Sequence, residues 1–105
     1  MINPQRGDVA VTVDGQARVL RLTLGALAAL EHELDAGSLV EMVDRFEDGQ
    51  FRSRDILLLL WAGLNGGGWA VELDAVAAAH IAGGPVAAAK AGARLLHCTF
   101  GGAAE

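Results

Sequence analysis

Three patterns predict a mainly α protein with an N-terminal β-hairpin (α+β), about five short helices packed around a central apolar helix. Val9, Val11 and Val13 alternate with Ala10 and Thr12, the period-two pattern of a strand. From Thr23 onward apolar residues recur at spacings of three and four, the helical period. Between them in importance stands Ile56–Trp61, an unbroken apolar run. A helix that is apolar all round has no face for water, so the other elements must wrap it or a partner must cover it.

The elements follow in order. Residues 1–6 read as a loose, turn-like lead-in. Residues 8–22 form the hairpin, because Asp14-Gly15 suits a type I′ turn with positive φ at both positions. Ala17 to Leu22 is its returning strand, and the pair must lie on helices to be stable. Thr23 caps a first helix to about Asp35, with Leu24, Leu27, Leu30 and Leu34 as its stripe. Ser38-Leu39-Val40-Glu41 matches a capping box, opening a second helix to about Glu47. Leu39, Met42, Val43 and Phe46 give that helix its apolar face.

Ser53 suits the N-cap of the central helix, with Asp55 in the first turn where the helix dipole favours a carboxylate. Ile56, Leu57 and Leu60 are expected in the core. Asn65-Gly66-Gly67-Gly68 ends the helix, since glycine enters the left-handed C-cap freely. Leu73, Val76, Ala77, His80 and Ile81 place a fourth helix near Glu72–Ala82. Gly83-Gly84-Pro85 opens a fifth, to about Cys98, with Val86, Ala89, Ala93 and Leu96 on one face and Phe100 continuing it. Lys90, Arg94 and His97 form a basic strip on another face. Residues 23–100 are thus helical, residues 101–105 a loose tail, and 1–105 one domain.

Composition narrows the function. Apolar residues make up 52% of the 105, generous for one small core, and such a surplus goes to an interface. Aromatics are only 5%, which disfavours stacking surfaces for single-stranded nucleic acid. The net charge is −5, and seven of the thirteen acidic residues lie between Glu31 and Asp48, against Arg45 alone. Such a belt repels phosphate, so no nucleic-acid partner is expected. A single cysteine, Cys98, forbids an intrachain disulfide and suits a reducing cytoplasm. No signal peptide and no membrane partner are expected, since Met1–Asp8 lacks an apolar core and the apolar runs are too short to span a bilayer.

Catalytic and metal chemistry find little support. His97 and Cys98 are adjacent and diverge on a helix, and His32 and His80 are far off, so no zinc spacing exists. Both serines have cap roles, and Cys98 lacks an orienting third group. Gly66-Gly67-Gly68 lacks the lysine and hydroxyl residue of a phosphate loop. Glu31 and Glu33 are two apart and do not face one another. The expectation is a protein that is not an enzyme and takes no cofactor or metal. Trp61, Leu64, Trp69, Leu96 and Phe100 are the candidate partner-binding residues, Trp61 as an aromatic anchor at the end of an apolar helix. The helices at Arg54–Leu64 and Pro85–Cys98 are the candidate walls of an apolar groove.

One arrangement of segments is informative. Leu-Thr-Leu-Gly-Ala-Leu-Ala-Ala-Leu-Glu (22–31), Gly-Ser-Leu-Val-Glu (37–41), Arg-Phe-Glu-Asp-Gly (45–49), Arg-Asp-Ile-Leu-Leu-Leu-Leu (54–60) and Ala-Gly-Leu-Asn-Gly-Gly-Gly (62–68) follow the hairpin. In this order they resemble the small gene-transfer-agent family protein of prophage-like tail clusters, a family grouped with phage tail assembly chaperones. The resemblance runs from Gly7 to Leu96. It implies a tail assembly chaperone that binds the tape measure protein, and possibly the tail tube protein, during tail morphogenesis. It implies no cofactor and no catalytic residue. The alternative is a structural tail component, a tube or connector subunit retained in the particle, since "tail tube protein" is also used of the family. Tube subunits of that kind are β-sandwich-like and ring-forming, whereas this sequence offers one hairpin and then helices. A third reading is a small helical regulator or toxin-neutralising partner, which the absence of a basic DNA-binding face weakens. A homo-oligomer is compatible with all three.

Overall fold

The computed structural model describes residues 8–34 and 39–101, and within them the chain is mainly helical behind an N-terminal hairpin. Strands β1 (Val9–Val13) and β2 (Gln16–Leu20) pair antiparallel, Val9 opposite Leu20 and Val13 opposite Gln16. The turn is as the sequence requires, with φ of 50° at Asp14 and 82° at Gly15. Val9, Val11 and Val13 all face inward. At the open end of the hairpin, Arg21 clamps the buried Asp8 through two hydrogen bonds, Nε to Oδ1 at 2.6 Å and a second to Oδ2 at 2.9 Å.

Five helices follow: α1 (Leu24–Glu33), α2 (Leu39–Glu47), α3 (Ser53–Gly66), α4 (Leu73–Ala78) and α5 (Gly84–Leu96), the last running into a π-helical turn, His97–Gly101. Thr23 caps α1 by accepting the Ala26 N–H. The expected α1 stripe is corrected at one position. Leu24 is 86% exposed, because the face toward α3 is set by Ala26 and Leu30, with Leu34 beyond the helix end. On α2 the expected face holds: Met42 is buried, and Leu39, Val43 and Phe46 pack against the core. Phe46 stacks on Phe51, ring centroids 4.8 Å apart. The Ser38 capping box lies outside the described residues.

Helix α3 is the central element, meeting α1, β2, α4 and α5. Its N-terminus differs from expectation. Arg52, not Ser53, is the N-cap, and Asp55 accepts the Arg52 N–H at 2.9 Å. Asp55 does more than answer the dipole. It is fully buried and takes two hydrogen bonds from Arg45, at 2.8 and 2.9 Å, and a longer one from the Arg52 guanidinium. One carboxylate thereby joins the end of α2 to the start of α3. Burial opposes its charge, but the hydrogen bonds from Arg45 and Arg52 outweigh that cost and hold the carboxyl at about 2, below the usual 3.8.

The core positions of α3 are also shifted. Leu58, Leu59, Leu60, Ala62 and Leu64 are buried, while Ile56 and Leu57, expected in the core, are half-buried on its side toward α4. The glycine-rich end explains how α3 sits so close to the hairpin. A Cβ on Gly66 would overlap the Arg21 carbonyl oxygen, and one on Gly67 that of Val19. The Gly63 carbonyl accepts from the Arg21 N–H at 2.9 Å, and Gly63 faces Leu20 and Leu95. These glycines therefore let the helix lie against β2, beyond ending it.

The fourth helix is shorter than the expected Glu72–Ala82. It stops at Ala78, and the chain extends so that Ile81 bridges Val13 on the outer edge of β1. Asp14 N–H donates to the His80 carbonyl, Ala82 N–H to that of Thr12, and His80 N–H to the Asp14 carboxylate. These hydrogen bonds satisfy an otherwise open strand edge, which outweighs the weak helical pattern of an alanine-rich segment. His80 is consequently exposed, not on a buried helical stripe. On α5 the buried face is Ala88, Ala91, Gly92, Leu95 and Leu96, rotated from the expected Val86–Ala89–Ala93–Leu96 face, and Val86 is 65% exposed. Small residues at 88, 91 and 92 let α5 approach the core closely, with Gly92 against Leu59 and Phe46.

Two measurements test this packing. The Asp55 carboxylate stabilises the fold fully above its ordinary pKa, and that stabilisation disappears as pH falls toward about 2, since the folded value is the lower one. It amounts to about 2 kcal/mol. Asp55→Asn should lower stability in urea unfolding near neutral pH by about 2–4 kcal/mol and should lack this part of the acid slope. Gly67→Ala should cost about 1–3 kcal/mol by overpacking against Val19. Gly25→Ala, where a Cβ meets only Thr23 Oγ1 at 3.9 Å, should leave the melting temperature unchanged or raise it.

Candidate binding surface

Among the described residues three grooves stand out, and each takes part of its wall from α3 or α5. The largest, about 590 Å³, lies between the first half of α3, α4, the Ala79–Ile81 segment and the start of α5. Ile56, Leu57 and Leu60 form one wall, Val76 and Ile81 the opposite one, and Pro85 and Ala88 the third side. Ser53, Arg54 and His80 stand at its polar margin. The lining is chiefly aliphatic, so its chemistry is the burial of apolar side chains. Half-buried Ile56 and Leu57 are, with Trp61, the part of the apolar run that the other elements leave partly uncovered.

A second groove, about 280 Å³, runs between α1 and α3 and is lined by Thr23, Ala26, Ala29, Trp61, Ala62 and Asn65 among others. Trp61 is half-buried there. Asn65 donates to the Trp61 and Val71 carbonyls, at 2.9 and 3.0 Å, tying the end of α3 to the following loop. A third groove, about 350 Å³, lies between α2 and the end of α5. Leu96 and Phe100 both line it, with Val43, Phe46, Glu47, Ala93 and His97.

The five candidate partner-binding residues therefore do not form one surface. Leu96 and Phe100 share the third groove, Leu96 buried and Phe100 41% exposed. Trp61 belongs to the second. Trp69 is half-buried elsewhere, under the Arg18 guanidinium carbon at 3.9 Å from its ring centre, so its face already has a cation–π partner. Leu64 is fully buried and offers nothing to a partner in this fold. It faces inward because the glycine end of α3 is pressed against β2, where an exposed exit was expected. The two helices expected to wall an apolar groove both line the largest of these three, but the first does so through Ile56 and Leu57, which sequence reasoning assigned to the core. The signal was present in the excess of the apolar run over the faces available to cover it.

Among the described residues no group of three His, Cys, Asp or Glu is placed to hold a metal ion, and no helix is long and apolar enough to cross a membrane. Cys98 is half-buried in the π-helical turn, where Thr99 donates to the Leu95 carbonyl at 2.7 Å.

The division of α3 between core and groove has a direct test. Leu59→Asp buries an unpaired charge and should abolish cooperative unfolding. Leu57→Asp places the carboxylate at the groove mouth and should leave a folded protein of lower melting temperature. Circular dichroism melts of the two variants separate the positions. Equal loss of structure would contradict the assignment.

Comparison with known proteins adds the family. The family model described as phage tail tube protein, GTA-gp10, matches residues 6–102. No curated protein and no solved structure matches significantly. The family match takes in the hairpin, all five helices and the walls of the three grooves. The chain thus belongs to the phage tail tube protein, GTA-gp10 family of phage and gene-transfer-agent tails.

Proposed function

We propose that this protein acts in building the tail tube of a phage-like or gene-transfer-agent particle, by binding other tail proteins and without catalysis. The observation that carries the reading is the family match over residues 6–102. The family's description most directly supports a structural role, a tube or connector subunit that stays in the finished particle.

The fold favours a second reading, a tail assembly chaperone for the tape measure protein. The outer edge of β1 is engaged by His80–Ala82 at its Thr12–Asp14 end, and that of β2 lies against the end of α3 at Val19–Arg21, so among the described residues these stretches are closed to a neighbour's sheet. The groove walled by Ile56, Leu57, Leu60, Val76 and Ile81 suits one face of an amphipathic helix, read through anchors three and four residues apart. Either role places the protein in the cytoplasm, where tails assemble.

Quantitative mass spectrometry of purified particles separates the two. A stoichiometric signal supports the structural subunit. Absence from particles, with co-purification and higher soluble yield of the tape measure protein on co-expression, supports the chaperone. Absence from particles without any effect on the tape measure protein would contradict both.

A further inference from the structure

We infer that the large groove between α3 and α4 takes an amphipathic helix of another protein whose apolar stripe is flanked by carboxylates, and that Arg54 selects that flank. The inference rests on the chaperone reading of this groove and adds the charge of the helix it accepts. The walls are aliphatic, with half-buried Ile56 and Leu57 on one side and Val76 and Ile81 on the other. Such a lining receives side chains spaced three and four apart on one helix face, but it does not choose among helices. The margin makes that choice.

The chain has thirteen acidic residues against eight Lys and Arg, yet among the described residues no Asp or Glu lines this groove. Arg54 lines it, in the first turn of α3, and Ser53 and His80 are its other polar neighbours. Arg21 is held by Asp8, and Arg45 and Arg52 by Asp55. Exposed Arg54 forms no salt bridge among the described residues and makes a long hydrogen bond, 3.4 Å, to the Glu33 carbonyl. A carboxylate on the flank of a docked helix gains a charge-assisted hydrogen bond from this guanidinium, whereas a lysine there meets a like charge. The chain's own helices do not offer such a face. Helix α2 has the composition, with Glu41, Asp44 and Glu47, but its apolar side packs on its own core. The exposed large apolar residues Leu24, Val40, Val86 and Phe100 stand on four different elements, so no described helix turns an apolar stripe outward. The occupant is therefore a helix of a different protein and not a second copy.

Two designed helical peptides with the same leucine stripe, one flanked by glutamate and one by lysine, test it on the full chain. Fluorescence anisotropy at about 0.15 M salt screens the attraction of a basic peptide to the net charge beyond about 8 Å. The wild-type protein should bind the glutamate-flanked peptide about tenfold more tightly than the lysine-flanked one. Arg54→Glu should weaken the glutamate-flanked peptide about fivefold and strengthen the lysine-flanked one. Arg54 is exposed and glutamate suits a first helical turn, so this variant should fold, as circular dichroism will show. Leu57→Ser, in the apolar wall, should weaken both peptides at least about tenfold. The inference is overturned if the lysine-flanked peptide binds the wild type as tightly as the other, or if Arg54→Glu leaves the glutamate-flanked peptide unaffected. If Leu57→Ser still weakens both peptides in that case, the groove remains a helix site and the charge preference alone falls. Binding of neither peptide overturns the inference together with the chaperone reading of the groove.

Discussion

Helix α3 can lie against β2 only because its last turns carry no side chains on that side. Any Cβ at Gly66 or Gly67 would collide with a carbonyl oxygen of the strand, and Gly63 leaves room for Leu20 and Leu95. The close approach brings the Gly63 carbonyl to the Arg21 N–H, so helix and strand are joined by a backbone hydrogen bond as well as by packing. A two-stranded hairpin has too little buried surface to persist alone. Here it becomes one wall of the core, in which Leu64 is fully buried.

The other elements are placed by that docking. The outer edge of β1 is met by His80–Ala82, which draws the end of α4 back over the hairpin and opens the large groove beside Ile56 and Leu57. The start of α3 is fixed independently by Asp55, whose contacts with Arg45 and Arg52 set the angle between α2 and α3. Because Arg45 is committed to that buried carboxylate, the outer face of α2 is left acidic. A structural ion cluster in the interior thus determines the charge of a surface, and membership of a tail family gives that surface its interest.

The parts legible in the sequence were those with short-range causes. The type I′ turn needs positive φ at Asp14 and Gly15, the Thr23 cap needs one hydroxyl, and the α2 face needs only helical spacing. The parts that were not legible depend on distant partners. Nothing local tells that Ala79–Ile81 leaves the helical period to satisfy a strand edge, or that Asp55 accepts from a residue ten positions earlier. The rotation of the α5 face follows from how closely Ala88, Ala91 and Gly92 can approach α3, which spacing alone does not specify. Likewise, Leu64 and Trp61 have similar sequence surroundings, and only the docking of α3 on β2 sends one into the core and the other to a groove.

The central claim is that the hairpin is an integral wall of the fold, held at Thr12–Asp14 by His80–Ala82 and at Val19–Arg21 by the end of α3, not a free arm. Residue-resolved native-state hydrogen exchange tests it most directly. The Arg21 and Ala82 amides, bonded to Gly63 and Thr12, should exchange only through an opening close in free energy to global unfolding, alongside the amides at the middle of α3. Fast exchange at Arg21 and Ala82 while α3 remains protected would contradict it, and would return the hairpin to a detachable strand pair.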